Sequence, residues 1–270
     1  FLVLAGCATS LDQVDSVDGN VSKTQRNINS SLSVVDKSSK FFTAQTQLSE
    51  VERALKENDI KRAKFVLELM LPPPPPLLTE YLFLLAQTAI AERQGNAALS
   101  LLADKRLINS EMDSVQTIKF AKIKSDAYLL NRSFIASAKE LIAIDSLLQR
   151  NERAENHEKI YELLMALPSR SLETRADKEM NGPTRGWLSL AALTKQNEND
   201  PFLQLKALNK WKLAWAHHTA SKILPRSLAM LSKIVNERPT KLALFLPFQG
   251  PLGAAGKAIR DGFIAGHYSH

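Results

Sequence analysis

The chain has one cysteine, Cys7, among 270 residues. No intrachain disulfide can form, so an oxidising compartment would leave the folding argument unchanged. Beyond the N-terminus, no segment has the roughly 20 consecutive apolar residues that a membrane helix needs. No Gly-x-Ser-x-Gly turn is present to expose a nucleophilic serine. His157-Glu158 lacks the second histidine of a zincin helix. His217 and His218 are adjacent, so they point to different faces of a helix, and no acidic or cysteine partner is patterned near them. Gly250, Gly253 and Gly256-Lys257 do not make a phosphate loop, because Pro251 stands where a glycine is needed and Ala258 replaces the Ser/Thr that binds magnesium. No glycine lies two residues after Gly250, which removes the dinucleotide fingerprint. A lysozyme-like domain needs a catalytic acid, and there is no length left for one. The expectation is a non-enzyme with no catalytic residue, cofactor or metal.

What is present fits a globular chain of one or two domains. Hydrophobic residues make up 44% and charged residues 23%, both ordinary. The net charge of +7 could attract nucleic acid, an anionic membrane surface or an acidic polymer. There is no zinc spacing and no basic stripe interleaved with aromatics, so nucleic acid is not expected as a partner.

The run Leu4-Ala5-Gly6-Cys7 follows Phe1-Leu2-Val3 and reads as the end of a lipoprotein signal peptide. An apolar stretch leads to two small residues, and cleavage precedes a cysteine whose thiol carries diacylglycerol. Ala8 stands where an aspartate would signal inner-membrane retention, and by resemblance to bacterial lipoproteins that favours the outer membrane. Cys7 is thus the lipidation site, and residues 1–6 are a signal-peptide remnant. Residues 7–43 hold the lipidated Cys7 and a tether rich in Ser, Asp, Asn and Gln. As a flexible coil this tether spans roughly 30 Å r.m.s..

From about Ala44 the apolar residues take a helical period. Leu48, Val51 and Leu55 precede a break at Asn58-Asp59, and Ala63, Val66, Leu67 and Met70 follow it. A second pair starts near Leu78, is punctuated by Gly95-Asn96, and continues through Ala98, Leu101 and Leu102. A third runs through Ile118, Ala121, Ile123 and Leu130, breaks at Asn131-Arg132, and resumes with Ala138, Leu141 and Ile142. The spacing is near the 34 residues or so of tetratricopeptide repeats. The expected fold is mainly α, a TPR-like superhelix of helical hairpins over residues 44–236. Stacked hairpins bury a continuous core and leave a concave surface. Pro72 to Pro76 predicts a rigid polyproline loop between two helices.

A polar stretch after Leu167-Pro168 reads as a loop with a short helix, and helices resume at Thr184-Arg185-Gly186-Trp187. Asp200 and Pro201 read as the N-cap and first residue of the next helix, whose Leu205, Leu208, Trp211 and Trp215 suit core packing. A last helix is expected over roughly Ala220 to Val235. Residues 237–241 read as a linker. Lys241 to Phe248 then suits a buried parallel strand, Gln249 to Gly253 a turn, and Ala254 to about His267 a helix. Residues 242–270 therefore read as the first β-α unit of a truncated, periplasmic-binding-protein-like α/β domain.

Several of these segments carry a family resemblance. They are Arg185-Gly186-Trp187-Leu188, Asn199-Asp200-Pro201, His218 ahead of Leu224-Pro225, and Leu244-Phe245-Leu246-Pro247-Phe248-Gln249-Gly250-Pro251-Leu252 running into Ala258-Ile259-Arg260-Asp261-Gly262-Phe263. With the lipobox and the hairpins, they resemble the LpoA lipoproteins of Gram-negative bacteria, outer-membrane activators of a class A penicillin-binding protein. The proline run departs from that pattern. The resemblance implies a non-enzymatic regulator of peptidoglycan synthesis, on the periplasmic side of the outer membrane. Its partner would be a class A penicillin-binding protein, with peptidoglycan as a further contact. Two alternatives stay open: an envelope scaffold or assembly lipoprotein, and a truncated ligand-binding lipoprotein.

Overall fold

A computed structural model describes residues 39–70, 73, 75–237, 241 and 243–268. Cys7 and the tether as far as residue 38 lie outside them, as do most of the residues between Met70 and Pro75. The described chain is mainly helical, and it divides into two compact units, Phe1–Leu167 and Pro168–His270.

In the first unit, helix α1 covers residues 39–56 of the described chain, with Ala44, Leu48, Val51 and Ala54 buried along one stripe. That three-and-four spacing is what makes the segment a helix with an inward face. Helix α2, Ile60–Leu69, starts at the N-cap Asp59, whose carboxylate accepts the Arg62 N–H at 3.1 Å. Helices α3 (Pro75–Ala91) and α4 (Gly95–Leu102) form the second hairpin, followed by the short α5 (Lys105–Ile108). Helices α6 (Ser114–Leu130) and α7 (Phe134–Ala143) form the third. Asp113 and Gln116 close a capping box at the start of α6. A 3-10 turn, Asp145–Leu147, leads to α8 (Arg150–Met165).

The three turns repeat one backbone device. Asn58, Arg93 and Arg132 all have positive φ, at 60°, 60° and 55°. The N–H after each donates to a carbonyl five residues back: Asp59 to Ala54 at 2.8 Å, Gln94 to Ala89 at 2.8 Å and Ser133 to Tyr128 at 2.9 Å. This is the six-to-one bond of a Schellman motif, which satisfies a carbonyl that the ending helix leaves bare.

Two expectations change here. Gly95 is not the turn residue, because it is already the first residue of α4, and Arg93 takes the left-handed conformation. Gly95 instead marks close packing: a Cβ there would come within 2.5 Å of Asn131 Oδ1 and 2.9 Å of the Ala127 carbonyl on α6. The proline run does not separate the helices as far as Pro76 either. Pro75 and Pro76 form the first turn of α3, where the missing N–H groups would have no intrahelical acceptor.

In the second unit, α9 (Ser169–Lys178) packs on α10 (Pro183–Gln196), α10 on α11 (Pro201–Ala214), and α11 on α13 (Arg226–Asn236). Asp200 caps α11, accepting the N–H groups of Phe202 and Leu203 at 2.9 and 3.1 Å. The helix expected over Ala220 to Val235 is two helices, α12 (Thr219–Lys222) and α13. Pro225, with no N–H and a ring that crowds the preceding turn, separates them.

Residues 243–248 have no regular secondary structure, and no strand occurs among the described residues. A parallel strand exists only through a neighbour's ladder. Helix α14, Gly253–Tyr268, does form. Gly250 turns the chain at φ 74°, and a Cβ on Gly256 would lie 2.0 Å from the Pro247 carbonyl, so these glycines serve turning and close packing. Leu244, Phe245, Phe248, Ile259 and Phe263 are all exposed.

Candidate functional site

In the first unit, the leading helix of each hairpin contributes to one groove. A hollow of about 240 Å³ is lined by Leu55 of α1, Gln87, Ile90 and Ala91 of α3, and Ile123 and Asp126 of α6. Leu55 and Ile90 are each the third residue before the left-handed turn residue of their hairpins. The hairpin repeat therefore lays out the apolar floor of the groove.

Polar side chains link the helices around it. Lys119 donates to Glu80 at 2.6 Å, joining α6 to α3, and Lys159 donates to Asp126 at 2.7 Å, joining α8 to α6. Lys64 donates to Glu92 at 2.8 Å, and that bond raises the Lys64 ammonium above its ordinary range. These pairs are part-exposed, so solvent screening leaves each with little net stabilisation. Their main effect is to fix register, and Asp126 is the one of these residues that lines the groove.

In the same unit, α8 is tied down by a buried polar cluster. His157 is fully buried and its Nε2 lies 2.8 Å from Asp145 Oδ1. Arg153 donates to the Asp145 and Leu148 carbonyls at 2.9 Å each, and Asn156 donates to the Leu141 carbonyl at 3.0 Å. His157 is thus a structural residue that anchors α8 to the preceding turn.

The second unit is organised around His218. Its Nδ1 accepts the Ala220 N–H at 3.1 Å, so its Nε2 carries the hydrogen donated to the Pro183 carbonyl at 2.9 Å. Trp187, Trp211 and Trp215 meet the imidazole edge-on, with ring centroids at 5.6, 5.3 and 6.0 Å. Trp211 Nε1 donates to the Gly186 carbonyl and to Ser189 Oγ, both at 3.0 Å. Trp187 and Trp211 are core residues, whereas Trp215 is half-buried and lines an open hollow with Asn181 and His217. Among the described residues, no group of three or more His, Cys, Asp and Glu side chains is placed to hold a metal ion.

The one site residue expected from sequence, Cys7, lies outside the described residues. The groove residues Gln87, Ile90, Ala91 and Asp126 were not singled out by sequence. Ile90 had a signal, since it repeats Leu55 one hairpin later.

Comparison with known proteins places the chain. The family model described as "LppC putative lipoprotein" matches residues 22–270. A protein of Klebsiella pneumoniae named penicillin-binding protein activator LpoA is 25% identical over 272 residues, covering 98% of this chain and 37% of that protein. A protein of the same name from Aliivibrio fischeri is 28% identical over 154 residues, covering 57% of this chain and 26% of its own length. This chain therefore spans well under half the length of these curated relatives. Among solved structures, full-length LpoA of Haemophilus influenzae superposes with a TM-score of 0.65 at 20% identity, over 84% of this chain and 41% of that one. The LpoA N-terminal domain of the same organism superposes with a TM-score of 0.59 at 20% identity, over 69% of this chain and 83% of that domain. These superpositions show the helical fold.

Proposed function

Because this chain belongs to the LppC lipoprotein family, we propose that it is a cell-envelope regulator that activates a class A penicillin-binding protein by direct contact. The observation that carries the proposal is the alignment over 98% of the chain with a penicillin-binding protein activator. The three-helix groove offers a contact surface: an apolar floor with Gln87 and Asp126 beside it suits a helix or extended segment of a partner. In this reading residues 44–236 are a TPR-like helical domain, supported by the repeated Schellman turns. Residues 242–270 open an α/β domain, supported by the exposed apolar side chains of Phe245, Ile259 and Phe263. Cys7 carries the lipid that holds the protein to the outer membrane, facing the periplasm.

Activation by contact requires tighter binding to the active conformation of the synthase than to the resting one. Each tenfold shift toward that conformation takes about 1.4 kcal/mol of differential affinity. The test is direct binding of the lipid-free protein to a purified class A penicillin-binding protein, with glycan polymerisation followed in parallel. Ile90→Glu, at the groove floor, is expected to weaken binding at least about tenfold by burying a charge against apolar side chains. No binding by the wild-type protein would sink the proposal. Equal binding by the variant would move the contact off the groove. Cys7→Ser is expected to release the protein from the membrane fraction, and continued sedimentation with membranes would refute the anchor.

A further inference from the structure

The two units carry very different charge. Residues 1–167 hold 20 Lys and Arg against 21 Asp and Glu, whereas residues 168–270 hold 15 against 7. The first unit is thus near neutral at −1 and the second carries +8, which is more than the whole net charge of the chain. The pairing differs too. In the first unit Lys119, Lys124 and Lys159 each meet a carboxylate on another helix, and Lys64 meets Glu92 in the turn after α3. In the second unit the ion pairs seen among the described residues join close sequence neighbours, Lys233 with Glu237 and Arg260 with Asp261.

Helix α9 carries Arg170, Arg175 and Lys178 against Glu173 and Asp177, and its three cations gather on one hollow. Arg170, Ser171, Thr174, Arg175 and Lys178 line one open hollow of about 490 Å³, with no carboxylate among the lining residues. At 3.6 residues per turn these five side chains fall within an arc of about 140°. Leu172 and Ala176 are buried on the inward side of the helix. The Glu173 carboxylate is engaged by the Gln196 amide of α10. Arg170, Arg175 and Lys178 are exposed and make no ion pair among the described residues. Thr174 gives its hydroxyl hydrogen to the Arg170 carbonyl, so Ser171 is the hydroxyl donor available to a ligand.

The position of Arg170 is informative. Arg175 and Lys178 sit in the last turn of α9, where the helix dipole favours cations. Arg170 sits in the first turn, where it disfavours them. Neither the helix dipole nor an ion pair among the described residues compensates that cation, and Asp177, two turns on, is the carboxylate on its side of the helix. Three positive side chains around one hollow exceed what a single carboxylate would balance. They match an oxyanion with about two charges, which arginine forks can hold through paired hydrogen bonds.

We propose that the outward face of α9 is a binding site for a phosphate-bearing anion, held by Arg170, Arg175 and Lys178 with Ser171 as a hydroxyl donor. The phosphate comes either from an anionic lipid headgroup or from a soluble phosphate compound. The site is built from residues of the second unit alone and does not rest on the proposed role of the first.

The test uses the whole chain and three proteins: wild type, the triple variant Arg170→Gln/Arg175→Gln/Lys178→Gln, and a control, Lys206→Gln/Lys210→Gln/Lys212→Gln, that removes equal charge from α11. Binding is measured to inorganic pyrophosphate by calorimetry and to phosphatidylglycerol vesicles by co-sedimentation at fixed salt. Five of the six substituted residues are exposed and Lys212 is half-buried, and circular dichroism checks that each variant folds. The α9 variant is expected to lose at least about tenfold in affinity for one probe or both, while the control loses less than half of that on a logarithmic scale. Loss for pyrophosphate assigns a soluble phosphate source, and loss confined to vesicles assigns a lipid headgroup. Equal losses in both variants, or no binding by the wild type to either probe, would overturn the proposal.

Discussion

Ser125 and Ser137 form a buried hydroxyl pair between α6 and α7. Their Oγ atoms lie 2.8 Å apart, and Ser137 donates to the Ser125 carbonyl at 2.9 Å. That donation uses the only Ser137 hydroxyl hydrogen, so Ser125 donates to Ser137. Counted from the left-handed turn residue, the same two places hold Val51 and Ala63 in the first hairpin, and Ala86 and Ala98 in the second. All six residues are fully or almost fully buried. The third hairpin therefore holds a closed polar link where the other two hold apolar contacts.

Removing one partner of that link should cost more than removing both. Ser137→Ala strands the Ser125 hydroxyl and is expected to destabilise by about 1–3 kcal/mol. The double variant Ser125→Ala/Ser137→Ala recreates the Ala86–Ala98 arrangement and should be near neutral. Urea denaturation of the four members of the cycle measures this, and additive losses would show that the two hydroxyls act independently.

Gly95→Ala should destabilise by about 1–3 kcal/mol, since the new methyl meets the Ala127 carbonyl, a backbone atom that cannot swing away. Gly262→Ala is the control, because nothing lies within 4 Å of its Cβ position. It should stabilise α14 by about 0.5–1 kcal/mol through helix propensity. Thermal melts that rank the two variants in the opposite order would show that α4 and α6 do not approach this closely.

Acid should act on Asp104 late. Arg106 donates to its carboxylate through the guanidinium at 2.8 and 3.1 Å and through its own backbone N–H at 2.8 Å. These bonds lower the Asp104 carboxyl from the ordinary 3.8 to about 2. A depressed carboxyl contributes stability above its unfolded value and loses it as pH falls through the folded one, here from about 4 to about 2. A carboxyl-carbon NMR titration should therefore place the wild-type midpoint near 2, and Arg106→Ala should move it back upward. A wild-type midpoint at the ordinary value would mean the pair does not persist in solution.

His218→Ala should loosen the second unit as a whole. The substitution leaves the Pro183 carbonyl and the Ala220 N–H without their shared partner, and it opens a gap beside Trp187 and Trp211. A loss of about 2–4 kcal/mol is expected. Tryptophan fluorescence during denaturation reports it, because the emission comes from the affected side chains. An unchanged midpoint would show that the aromatic packing holds without the imidazole.

What could be read in advance was local. Asp200-Pro201 announced a helix start because capping and proline at the first position depend on a few adjacent residues. The ends of α1 and α6 near Asn58 and Asn131 were legible for the same reason. Gly95 misled because glycine is the usual left-handed residue, yet its place was set by the close approach of α6. Pro75 and Pro76 misled because a proline run looks extended until its last members enter a first turn. The groove on α1, α3 and α6 was only partly legible, since Leu55, Ile90 and Ile123 meet through tertiary packing. The charge excess of the second unit depends on where the chain divides, and the polar stretch after Leu167-Pro168 reads as a loop rather than as the start of a basic unit.

The first unit is built from helices that pack on their chain neighbours, α3 on α4, α4 on α6, α6 on α7 and α7 on α8. Such a stack behaves under tension like a series of latches rather than a single knot. Pulled from its N-terminal side, as an anchor at Cys7 would pull it, the unit should yield one hairpin at a time. Each release would add roughly 120 Å of contour for about 35 residues. Single-molecule stretching should then show evenly spaced force drops, giving the protein a stepwise compliance suited to a gap whose width varies.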